Sequence, residues 1–101
     1  MSRTITIRRV TIILDTVLKR RVLEACFKLG AKGYTSMECH GQGRHPLLED
    51  PYTGEALVRL EFLVQPQVAE KIIDYMHDEV FSQFAATVCS EAVEVCSSDS
   101  F

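Results

Sequence analysis

Residues 57–64 carry the pattern that most narrows the fold. Val58, Leu60, Phe62 and Val64 alternate with Arg59, Glu61 and Leu63. Strand side chains point to two faces in turn, so one face of this strand is apolar. Gln65-Pro66 follows, and proline suits the first turn of a helix. From there Ala69, Ile72, Ile73, Met76 and Val80 recur at helical spacing to about Ser82. A half-buried strand that feeds directly into an amphipathic helix calls for a two-layer α+β domain.

The first half of the chain repeats that change of period. Ile5 and Ile7 share one strand parity, whereas Val10, Ile12 and Leu14 share the other, with Arg8-Arg9 between them. One period of two does not serve both sets without a bulge or break. Residues 9–14 are therefore read as the central strand and the preceding ones as an extension. Asp15 or Thr16 then caps a helix whose apolar face is Leu18, Val22, Ala25, Cys26 and Leu29. Lys19, Arg20, Arg21 and Lys28 point elsewhere and read as a solvated face. Gly30 stops the helix, with Lys28 suited to its last carbonyls. Residues 32–40 and 87–95 supply two more strands. Ser97-Ser98-Asp99-Ser100 is polar, and the tail of about 97–101 is expected to fray.

The resulting order is β-α-β-loop-β-α-β in a single domain, 1–101, the ferredoxin-like split unit. Both helices would cover one sheet face. The other face stays half apolar, which invites burial by further copies of the chain.

A formal net charge of −3 gives no electrostatic support to nucleic-acid binding. No run approaches the roughly 18 apolar residues of a membrane span. The first residues show no hydrophobic signal region, so a cytoplasmic location is expected, with a membrane met only indirectly. Cys26, Cys39, Cys89 and Cys96 are widely spaced and, in that setting, read as reduced. Cys96, beside the polar tail, is the one to watch for redox chemistry.

The stretch 30–44 concentrates the candidate chemistry. It stops a helix, becomes a strand and ends in Gly41-Gln42-Gly43-Arg44. Glycines flanking one residue let backbone N–H groups turn toward an anion, and Arg44 adds a two-pronged guanidinium. The following loop has too few apolar positions to pack as core. Cys39-His40 with His45 is a poor metal site, because adjacent strand residues point to opposite faces. His77 reads as a helix-surface residue. Glu49, Asp50 and Glu55 lack the fixed separation that acid/base catalysis needs. No catalytic or metal-binding residue is assigned.

Gly-Ala-Lys-Gly-Tyr-Thr (30–35), the Gly-x-Gly-Arg element and Cys89-Ser90 in the last strand resemble the PII signalling superfamily. The resemblance is closest to its PII-like branch, associated with transporters and carboxysomes, and spans most of residues 10–95. It implies a non-catalytic homotrimer with adenine nucleotide, ADP or AMP, in clefts between subunits and bicarbonate as a further ligand. ATP and cyclic AMP are further candidates. Carried over by position, Gly33, Tyr34, Thr35, Cys89 and Ser90 would meet the nucleotide. Gly41, Gln42, Gly43, Arg44 and Arg59 would hold phosphate or bicarbonate, with Arg59 where the third strand leaves the loop. Residues of about 40–56 would form the family's T-loop, which reports ligand state to a bicarbonate transporter or carboxysome-related protein. Residues 82–86, Ser-Gln-Phe-Ala-Ala, lack the glycines and lysine of the classical PII loop after the second helix. That departure favours ADP or AMP over ATP. Tyr52 lies in the loop, with no local signal that it is modified.

Two other readings compete. One is a small ferredoxin-like enzyme acting on a phosphorylated or carboxylated metabolite. The other is a purely structural trimer.

Overall fold

A computed structural model describes residues 3–41, 55–97 and 101. Four strands, β1 (Thr4–Asp15), β2 (Thr35–Gly41), β3 (Glu55–Val64) and β4 (Ala86–Cys96), form one antiparallel sheet of order β2-β3-β1-β4. Helices α1 (Lys19–Lys28) and α2 (Pro66–Tyr75) provide the two crossovers. The βαββαβ order and ferredoxin-like topology match the sequence reading.

The bulge or break expected in β1 is absent. β1 pairs with β4 in unbroken register from Thr4↔Cys96 to Leu14↔Ala86, and with β3 from Arg8↔Val64 to Asp15↔Leu57. Both apolar sets fit one regular strand because the two faces have different neighbours. Val10, Ile12 and Leu14 belong to the core cluster with residues of both helices. Ile7 is equally buried but lies outside that cluster, on the opposite parity. Ile5, Ile13, Leu57, Leu63, Val93 and Val95 share its helix-free face and stay half-buried.

The core packs Val58, Leu60, Phe62 and Val64 of β3 against Val22 and Cys26 of α1 and Ala69, Ile72 and Met76 of the α2 segment. Asp15 caps the turn into α1, its Oδ1 accepting from the Val17 amide at 2.8 Å. That side chain satisfies one of the amides a helix start leaves unpaired. A 3-10 turn, Thr16–Leu18, precedes α1.

Three boundaries differ from expectation. β2 begins at Thr35 rather than 32, because Ala31 and Tyr34 pack locally at the end of α1 instead of pairing with β3. Strands run to Gly41 and resume at Glu55, so His40, Gly41, Glu55 and Ala56 belong to the sheet and not to the loop. Beyond Tyr75, α2 widens into a π turn, Met76–Val80. Ala69, Ile72, Met76 and Val80 form the buried stripe, and Ile73, one residue aside, is 38% exposed.

Candidate functional site

The end of α1 sets the position of residues 30–35. Gly30 adopts φ +119°, a left-handed conformation that strains any residue with a β-carbon. Its amide donates to the Phe27 carbonyl at 3.2 Å and the Ala31 amide to Cys26 at 3.0 Å, the paired bonds of a Schellman cap. Ala31 is buried beneath this turn. The Tyr34 ring then meets Phe27 edge-on, with centroids 5.9 Å apart, while remaining 46% exposed.

Gly33 behaves differently from Gly30. A β-carbon added there would meet no atom of the chain within 4 Å, and its φ lies outside the left-handed region. Neither packing nor backbone geometry within the protomer asks for glycine at this position.

Strand register places the remaining candidates. Thr35 is opposite Glu61, Glu61 opposite Thr11, and Thr11 opposite Cys89. These four residues make one row across the sheet on the helix-free face. Thr35 and Cys89 are exposed at its two edges, about 14 Å apart at three strand spacings. Ser90 has the other parity. Its hydroxyl accepts from Arg8 Nε at 3.0 Å on the helix side of β4. Arg8 was not singled out as a site residue, although parity alone puts it two residues from Val10 on the same face. The nucleotide candidates therefore divide between two sheet edges and two sheet faces.

On the anion side, Gly41 does not adopt the left-handed conformation expected of it. It continues β2, paired with Glu55, because the sheet runs that far. Gln42, Gly43 and Arg44 lie outside the described residues, as do His45, Glu49, Asp50, Tyr52 and residues 98–100. Arg59 stands inside β3, not at the loop exit. Its guanidinium engages Glu61 Oε1 at 3.0 and 3.3 Å. Thr16 Oγ1 donates to the Ala56 carbonyl at 3.0 Å, which ties the start of α1 to the loop's return strand.

The turn after α2 is closed on itself. The Gln83 and Phe84 amides both donate to the Val80 carbonyl, at 3.0 and 2.8 Å, and the Arg21 guanidinium lies 5.5 Å from the Phe84 ring centre. Those two N–H groups are engaged within the turn and do not face a phosphate.

All four cysteines are unpaired. Burial pushes the Cys26 thiol up to about 12, which suppresses the reactive thiolate. Cys89 and Cys96 are exposed, and Cys39 is intermediate. Cys39 and His40 alternate along β2, so their side chains diverge. No helix among the described residues is long and apolar enough to cross a membrane.

Comparison with known proteins resolves the family. The family model of the nitrogen regulatory protein P-II matches residues 7–99. The chain belongs to the P-II family. Among solved structures, this P-II protein is similar to one from Thermus thermophilus described as a PII-like signalling protein. Identity is 30%, the TM-score is 0.78, and 94% of each chain is covered. It is also similar to CPII of Thiomonas intermedia, a nitrogen regulatory PII-like protein bound to ADP, AMP and bicarbonate. There identity is 19% and the TM-score 0.81, over 94% of this chain and 98% of that one. The apo form of CPII gives 20% identity and a TM-score of 0.76, over 91% and 94%. At these identities the CPII likeness is one of fold. A search of curated protein sequences gives no match. The PII-like resemblance carried by residues 30–35 is thus borne out.

Proposed function

We propose that this P-II protein is a non-catalytic cytoplasmic sensor that takes ADP or AMP, together with bicarbonate, in clefts between the subunits of a homotrimer. Residues 42–54 pass the ligand state to a protein partner in inorganic-carbon uptake or carboxysome function. The observation that carries the reading is the row Thr35–Glu61–Thr11–Cys89. A site drawing on Gly33, Tyr34 and Thr35 as well as Cys89 needs the β2 edge of one copy against the β4 edge of another. A closed ring of head-to-tail copies supplies that contact at every interface. Ser90, backed by Arg8, belongs to the same β4 edge.

Three further features support the reading. The helix-free face offers Ile5, Leu63, Val93 and Val95 for burial between copies. The open space at Gly33 admits a ligand's close approach to the backbone. The self-closed turn at Gln83 and Phe84 leaves fewer donors for a third phosphate, which favours ADP or AMP over ATP. The structures of CPII with ADP, AMP and bicarbonate supply the ligand class.

For the anion, Gly41, Gln42, Gly43 and Arg44 are the proposed hosts. Arg59 joins them by exchanging Glu61 for the ligand. The energetics favour whichever loop arrangement lets the N–H groups and Arg44 meet the anion, so ligand binding shifts that equilibrium. Calorimetric titration with AMP, ADP, ATP and cyclic AMP, with and without bicarbonate, tests the proposal. Micromolar binding of ADP or AMP that bicarbonate modulates is expected. No heat with any of them overturns it.

A further inference from the structure

The two helices carry inverted charge. In α1, Lys19, Arg20, Arg21 and Lys28 stand against the single acid Glu24. In α2 and its π turn, Glu70, Asp74, Asp78 and Glu79 stand against the single Lys71. Each helix also leaves apolar surface outside. Val17 is 81% exposed and opens a groove of about 320 Å³ that runs along α1 past Arg20 and Leu23 to Phe27. On α2, residues 70, 73, 74, 77 and 81 are exposed at helical spacing, with Ile73 38% and Phe81 44% exposed.

Within the protomer the rings of these surfaces make only edge-on contacts, Phe27 with Tyr34 and Phe81 with His77. Lys19, Glu70 and Asp74 have no ion pair among the described residues, and Arg20 has only the solvent-exposed pair with Glu24 on its own helix. Exposed pairs of that kind are worth little and exchange readily. A single occupant suits the groove on all counts: a helix that presents spaced apolar side chains with carboxylates beside them. The chain itself carries one.

We propose that the α1 groove receives the outward stripe of α2 from a second copy of this chain. Ile73 and Phe81 cover the apolar floor between Val17 and Phe27, while Glu70 and Asp74 meet Lys19 and Arg20. The contact joins unlike surfaces, so each copy keeps one of each free and association propagates into larger rings or chains. It uses the helix side of the sheet, opposite the face assigned above to the trimer, and stands or falls independently of that assignment.

Sedimentation velocity over a concentration series tests it. At low salt the wild-type chain forms species larger than its smallest assembly. These species are lost near 1 M salt, where the screening length falls to about 3 Å. The double change Lys19→Glu with Arg20→Glu raises the midpoint of this association about tenfold or more, because like charges then face each other. Glu70→Lys with Asp74→Lys does the same. Mixing the two variants restores association through the matched reversed pair, which a folding defect in either would not permit. A single species at every concentration in low salt overturns the proposal. So does association that neither reversal weakens, or a mixture that fails to recover.

Discussion

Thr35 and Cys89 occupy opposite edges of the sheet in a single cross-strand row, joined through Glu61 and Thr11. The row makes each protomer bifacial at its margins. One edge carries Gly33, Tyr34 and Thr35, and the other carries Cys89 with Ser90 just across the strand. Residues separated in this way act on one ligand only when a neighbour closes the gap. Placing ligands at subunit boundaries also couples assembly to occupancy, since a ligand that binds only the assembled form stabilises it by mass action.

Gly33 separates binding from stability. Its added β-carbon meets nothing within 4 Å. Gly33→Ala therefore leaves the denaturation midpoint unchanged or slightly raised, through a less flexible unfolded chain. The same change weakens ADP affinity in calorimetry. A variant that binds ADP as well as wild type removes Gly33 from the site.

Gly30 behaves in the opposite way. Its φ is +119°, and a β-carbon there would stand only 3.1 Å from Val68 Cγ2, so Gly30→Ala incurs both strain and crowding. A loss of about 1–3 kcal/mol in chemical denaturation is expected. An unchanged midpoint would show that the Schellman cap tolerates a side chain.

Phe62 is fully buried in the core cluster, on β3 directly opposite Val10 of β1. Phe62→Ala removes its contacts and leaves a cavity, at a cost of about 3–5 kcal/mol. The readout is again the denaturation midpoint, and a cost below about 1 kcal/mol would mean that the core collapses around the gap.

Much of this architecture was legible in the residues. The alternation from Val58 to Val64 and the 3.6-residue faces of both helices fixed the layers, because one buried face leaves a clear period. β1 misled for a physical reason: its two faces are both partly covered, so an apolar residue at either parity is at home. Tyr34 resembled a strand residue because it is aromatic, yet it packs edge-on against Phe27 at the end of α1 and stays 46% exposed. The site was less legible. Adjacent Cys89 and Ser90 read as one motif, but strand parity sends them to different faces, and only the register shows Thr35 and Cys89 sharing a row.

Cys26 gives a pH-dependent signature. Burial pushes its thiol from 9.0 to about 12. Below pH 9 both native and unfolded states keep the proton, and the thiol contributes no pH dependence. Between about 9 and 12 the unfolded chain has released its proton while the native one retains it, so stability falls as pH rises. Cys26→Ser or Cys26→Ala should flatten that alkaline decline. At pH 8 a thiol reagent should label the exposed Cys96 quickly and Cys26 only after unfolding. Rapid labelling of Cys26 in the native protein would contradict its burial.

The most direct test of the composite site is complementation between two variants, each lacking one half. Gly33→Val blocks the β2 edge and Cys89→Trp the β4 edge, and each alone should abolish ADP binding in calorimetry. Refolded together in equal amounts, random assembly juxtaposes two intact edges at about a quarter of the interfaces of a cyclic ring. The account predicts that this fraction of ADP binding returns. A mixture as inert as its components, from variants shown to assemble together, would contradict a site shared between neighbouring copies.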